Sequence, residues 1–243
     1  MPIYSCFKYR PLNSYTFEGL ERSELYFCPT GSLNDPHDCD VDLERIVDSL
    51  SKSENCENQA TVDKLANDKG LLRGLREGAA NLGICSYSLT HNSTLMWAHY
   101  ARNHTGICLR FDFPKSFLAD DEQYPFMATS AIKYGDNIVS AWIQDKATLY
   151  EKSRREFGMA LTRVLLTAKG KVWEYEQEVR TIATEQGTVT IPPEYLTHAI
   201  FGLRTTSDDQ DRVKAIFKEQ SHRIRIGKVV RTNTDFGLDT VEI

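Results

Sequence analysis

The chain lacks most of the marks by which function is read directly from sequence. Its 243 residues contain no apolar run long enough to cross a bilayer, and the opening MPIYSCFKYRPLN has no apolar secretory segment. The six cysteines, Cys6, Cys28, Cys39, Cys56, Cys85 and Cys108, form no C-x-x-C pair. Most sit inside apolar stretches, where a free thiol behaves as a small hydrophobe. No disulfide framework is expected, and the chain reads as a soluble, reduced, cytoplasmic protein. It has no phosphate loop of the G-x-x-x-x-G-K type, no G-x-S-x-G elbow and no H-E-x-x-H zinc helix. Repeats and low-complexity tracts are absent too. A net charge of -5 argues against a protein that coats nucleic acid, while leaving room for a local basic patch.

What is present fits one globular domain over residues 1–243, with 41% hydrophobic and 26% charged residues. IYSCFKY, ELYFCP, GICSYS, GICLRFDF, SAIKYG, HAIFGLR and a last HRIRIGKVVR read as strands. SYTFEGLERSE reads as a helix capped at Asn13 or Ser14, and STLMWAHYARN as one capped at Ser93. Residues 140–170 carry helical periodicity throughout, and Ser207 with Gln210 marks a capping box for SDDQDRVKAIFKEQ. EVRTIAT and TVTIP are expected to pair as a hairpin around Gln186 and Gly187. TGSLNDPHD is a turn-rich loop. Residues 41–82, the most polar part, predict a helical insertion with an exposed connection at SKSENCENQ. Strands and helices mix without strict alternation. The expected fold is therefore α+β, a single domain with a mixed, partly antiparallel sheet flanked by helices.

Four clusters could carry chemistry. WEYEQEVR, read as a strand, places Glu174, Glu176, Glu178 and Arg180 on one face and Trp173, Tyr175 and Val179 on the other. Such a face is either solvated, with a weak surface pair, or turned to a cleft. In a cleft a glutamate could stabilise positive charge on a sugar or polarise a hydroxyl. NDPHDCDVD offers Asn34, Asp35, His37, Asp38, Asp40 and Asp42 to a hard cation, although the spacing is not that of an EF-hand. The same residues also suit a turn followed by an acidic helix start. In MWAHYARNHTG, Met96, Trp97, Tyr100 and Ala101 form a core stripe. His99 lies on another side as a candidate general base, and His104 and Gly106 fall at the helix end. In FKYR, Lys8 and Arg10 share one strand face, fit to bind phosphate or to edge a sheet, with Phe7 and Tyr9 opposite.

Taken in order, FKYR, LYF…SLNDPHD, ICSYS, MWAHYARNHTGICLRFD and KVWEYEQEVR resemble a large prokaryotic family of unknown function. Its marks are K-Y-R, N-D-P-x-D, C-F-S, M-W-x-H-Y, H-x-G-x-C and W-x-x-E-x-E-x-R. Tyr87 stands where Phe is usual, and His37 where Phe is common. That family is in turn similar to abortive-infection proteins encoded near phage-defence systems. Its opening resembles the start of ADP-ribosyltransferase domains, which hold NAD with a first-strand polar residue and use a late-strand glutamate. This resemblance implies an ADP-ribosyltransferase-like core, although the chain lacks a histidine on its first strand. The expected site combines catalytic Glu178, Glu176 and His99 with cofactor-contacting Lys8, Tyr9, Arg10, Asn34, Asp35, Trp97, Tyr100 and Arg180. The expected function is an NAD-using ADP-ribosyltransferase or glycohydrolase in phage defence or toxin–antitoxin conflict. It would act on a protein or nucleic-acid acceptor, with a cognate partner protein. The alternatives are a metal-dependent nuclease or phosphoesterase using Asp35, Asp38 and His37, and a non-enzymatic sensor.

Overall fold

The computed structural model describes residues 3–54, 56, 58–233 and 236–243. The chain opens with β1 (Ile3–Arg10), α1 (Ser14–Arg22) and β2 (Glu24–Pro29). Asn13 caps α1, its side chain accepting the Thr16 N–H at 3.0 Å. Three helices follow: α2 (Leu43–Ser51), α3 (Gln59–Asn67) and α4 (Lys69–Ala80). Then come β3 (Gly83–Ser88), α5 (Thr94–His99, capped by Ser93), β4 (Ile107–Pro114), β5 (Phe126–Ala131) and β6 (Lys133–Tyr134). The second half holds α6 (Ile138–Lys152), α7 (Arg154–Thr167), β7 (Ala168–Lys169), β8 (Glu178–Ala183) and β9 (Gly187–Thr190). It ends with β10 (Leu196–Phe201), α8 (Ser207–Lys218), β11 (Arg225–Arg231) and β12 (Leu238–Glu242).

The fold is α+β around a ten-stranded mixed sheet, whose main path runs β12-β11-β10-β4-β1-β3-β2-β9. Among the described residues, only β10 and β11, joined through α8, pair in parallel within it. β8 enters from the side, between β3 and β5. β3 is thus a branch point. One edge carries β8 along its whole length, while the other is shared by β1 at Ser88 and by β2 at Gly83 and Ile84. Lys8 spans the gap where β1 and β2 part, donating from Nζ to the Ser86 carbonyl at 2.9 Å.

Each sheet face has its own core. On one, α1 and α8 bury Phe17, Leu20, Val213 and Phe217 against Cys6, Phe27, Cys85, Leu109, Phe111 and Phe201. On the other, Trp97 and Met96 of α5 pack on Tyr9, Cys108, Ile200 and Val229. The insertion does not stand alone. Leu43, Val47, Leu65 and Leu72 from α2 to α4 share one core with Ile143, Phe157 and Leu161 of α6 and α7. Cys39, Ala79 and Leu166 link it to Ile84 and Ile182 of the sheet. Among the described residues, no helix is long and apolar enough to cross a membrane.

Several local expectations need correction. WEYEQEVR is not one strand. Lys171–Glu176 is a 3₁₀ turn, Gln177 is left-handed at φ 44°, and β8 starts at Glu178. EVRTIAT and TVTIP do not pair with each other, because β8 inserts between β3 and β5 while β9 pairs with β2. The long helix breaks at Ser153, which is extended and caps α7 through the Glu156 N–H. Thr206, not Ser207, caps α8, and β12 follows the strand expected to be last. The connection SKSENCENQ falls partly on residues 55 and 57, outside the described residues.

Candidate functional site

Two regions concentrate polar groups inside this fold. The first is a cavity of about 610 Å³ on the α1 side of the sheet. Strand alternation sends Lys8 and Arg10 to this side with Cys6, and Phe7 and Tyr9 to the other. Leu20, Leu25, Leu109, Phe111 and Leu196 give the cavity an apolar lining. Tyr15 and Tyr26, 76% and 50% exposed, also line it, together with Arg22, Glu18 and Glu24.

Lys8 and Arg10 are half-buried, and among the described residues neither has a carboxylate within ion-pair distance. Lys8 Nζ donates to Ser86 O, touches Cys85 Sγ at 3.2 Å and stands 5.1 Å from the Tyr87 ring centre. Arg10 Nε donates to Thr16 Oγ1 at 3.4 Å. Burial pushes the Arg10 guanidinium below its usual range. Cations withdrawn from water without an anion carry a desolvation penalty, which a bound anion would offset.

The second region lies on the opposite face of the sheet. It is a closed ionic cluster of Asp38, Lys169, Glu176, Glu178 and Arg180, all buried. Arg180 makes a two-pronged contact with each of two carboxylates. Nε and Nη2 reach Glu178 at 2.7 and 3.0 Å, and Nη1 and Nη2 reach Asp38 at 2.8 and 2.5 Å. Lys169 Nζ sits 2.6 Å from Glu176, 3.1 Å from Glu178 and 3.4 Å from Asp38. The left-handed Gln177 makes this convergence possible, because it folds Glu176 back onto the lysine that Glu178 also meets.

Three carboxylates face two cations here, and the two glutamates respond differently. Burial raises Glu178, but Arg180 and Lys169 override it and hold the carboxyl down at about 2. Burial raises Glu176 too, and there Lys169 and the Tyr100 hydroxyl do not fully compensate. Lys169 is held above its usual range, because Glu178 and Glu176 outweigh its burial. The cluster reaches the surface through Tyr100, whose hydroxyl donates to Glu176 Oε1 and accepts from Asn34 Nδ2 at 2.6 Å. Burial and the contact with Glu176 push that phenol well up.

The expected site residues therefore divide. Asn34, Tyr100, Glu176, Glu178 and Arg180 form one contact chain, the two glutamates joined through Lys169. His99 is exposed beside it, its ring 6.1 Å from that of Tyr175. Tyr9 is buried with its ring edge-on to Trp97 at 5.1 Å, and its hydroxyl donates to Thr90 O. Trp97 is fully buried and donates to His91 O at 2.8 Å. Asp35 accepts the His37 N–H at 3.0 Å in a local turn. Lys8 and Arg10 stand apart, on the other side of the sheet, in the cavity.

Sequence reasoning missed Lys169, because Ala168–Lys169–Gly170 reads as a helix end. It also missed Tyr134, whose hydroxyl accepts the Glu178 N–H at 2.6 Å, and the cavity tyrosines. Tyr15 in the first turn of α1 and Tyr26 within β2 stand on either side of the α1–β2 turn.

No curated protein and no solved structure matches the chain. A family model described as a protein of unknown function, DUF2971, matches residues 96–181, the stretch from Met96 on α5 to Thr181 on β8 that carries Tyr100, Lys169, Glu176, Glu178 and Arg180.

Proposed function

We propose that the α1-side cavity binds a nucleotide-class anion, with NAD as its ligand, and that the protein is an ADP-ribosyltransferase-like enzyme or NAD glycohydrolase. One observation carries this reading: among the described residues, Lys8 and Arg10 stand half-buried and without a carboxylate partner over an apolar floor, between exposed tyrosines. A pyrophosphate would neutralise the two cations, and a base or nicotinamide ring would cover apolar and aromatic surface. Glu18 and Glu24 are the carboxylates that line this cavity, within the same compartment as any sugar bound there. In this reading Glu176 and Glu178 act behind the sheet as the anchor of β8, since Lys169 engages both and Arg180 engages Glu178. A metal-dependent phosphoesterase at Asp35 and Asp38 is disfavoured, because the Asp38 oxygens are taken by Arg180.

A second reading, a sensor without turnover, is favoured by the pairing of the late carboxylates with buried cations. The two separate in one set of measurements. NAD at a hundred times its Kd should stabilise the fold by about 2.7 kcal/mol, read as a rise in Tm. Lys8→Ala with Arg10→Ala should remove that rise, and nicotinamide release should be seen with the natural chain. A rise without release leaves the sensor. No rise with NAD, ADP or AMP overturns the cavity assignment.

A further inference from the structure

A second, more open cleft of about 830 Å³ is lined by residues from the loop after β10, from β11 and from the described residues just before β12. Arg204, Lys228, Arg231, His104 and Phe236 line it, and among the described residues no Asp or Glu does. That is unusual in a chain with 34 acidic against 29 basic residues. Among the described residues, none of the three cations has a carboxylate within ion-pair distance. Arg204 and Arg231 are exposed, and Phe236 is 93% exposed, the most open large apolar side chain described. Burial and Arg204 hold His104 below the usual imidazole range, so the positive charge at neutral pH comes from the arginines and the lysine.

We propose that this cleft binds a single-stranded polynucleotide, its phosphates on Arg204 and Arg231 and one base stacked on Phe236. Guanidinium groups match phosphate in a planar fork, and a projecting ring can stack only on a base free of its duplex neighbours. An acidic protein with a cleft whose described lining holds no carboxylate would also hold the strand there rather than over its whole surface. The site lies apart from the α1-side cavity and does not depend on NAD binding.

Fluorescence anisotropy with labelled mixed-sequence single-stranded DNA and RNA oligomers, titrated into the full chain at low and moderate salt, tests this. Binding should weaken steeply with salt, as release of condensed counterions requires. Arg204→Glu with Arg231→Glu should weaken it at least about ten-fold, and Phe236→Ala by roughly five-fold or more. All three positions are exposed, so the variants should keep the natural Tm. Lys8→Ala, in the other cavity, should leave binding unchanged. DNA against RNA tells which strand is preferred. Preference for duplex, indifference to the charge reversals, or binding to anionic phospholipid vesicles but not to oligomers would each overturn the proposal.

Discussion

Arg180 shows how much one side chain can organise. It is fully buried, and its guanidinium satisfies Asp38 and Glu178 together with the Leu166 carbonyl. Removing it strands two carboxylates away from water. Arg180→Ala should cost about 3–5 kcal/mol in chemical denaturation, well above the loss from an exposed pair such as Lys64–Glu151. The glutamates should differ in sign with pH. Glu178 is depressed, so its contribution is present above the ordinary carboxylate pKa and is lost as pH falls towards about 2. Glu178→Gln should therefore be least stable, relative to the natural chain, near neutrality, and the deficit should shrink in acid. Glu176 is raised, so its contribution is present in acid and is lost as pH rises through its folded value. Glu176→Gln should gain on the natural chain as pH rises, as Tm measured from pH 3 to 9 would show. The sequence offered Arg180 as half of a weak surface pair or as a cofactor contact, and its full burial between two carboxylates was not legible there. Asp38 was visible as a candidate cation ligand or as part of an acidic turn, because the contact that uses it spans 142 residues.

At the scale of elements, the chain was clearest where Gly or Pro sets a boundary. ELYFCP and GICSYS match β2 and β3 residue for residue. Periodicity misled where no such residue interrupts it. Lys152-Ser153-Arg154 holds neither Gly nor Pro, so the break between α6 and α7 was hidden. Alternating glutamates imitate a strand even when a left-handed residue divides them. The H-x-G motif proves to be a matter of close approach. A Cβ on Gly106 would sit 2.2 Å from the Arg10 carbonyl oxygen and 2.9 Å from that of Ala101. Gly106→Ala should destabilise by about 1–3 kcal/mol through this overlap. Since Arg10 belongs to the cavity strand, the variant should also weaken any ligand-induced rise in Tm.

For the whole molecule, α+β with a mixed sheet was readable, but not the merging of residues 41–82 with α6 and α7. Amphipathic faces declare that each helix needs a partner, not which partner, and these partners lie far apart in the chain. Excising 41–82 should leave Ile143, Phe157 and Leu161 uncovered, and the product should be insoluble or bind a hydrophobic dye. The span between Asp38 and Arg180 also bears on kinetics. A contact closing so large a loop gives no return until both ends are already in place, so it should be absent from the folding transition state. Weakening it would then leave the refolding arm of a chevron where it is in the natural chain and move the unfolding arm to faster rates. The latch would set how long the molecule lasts, not how fast it is made.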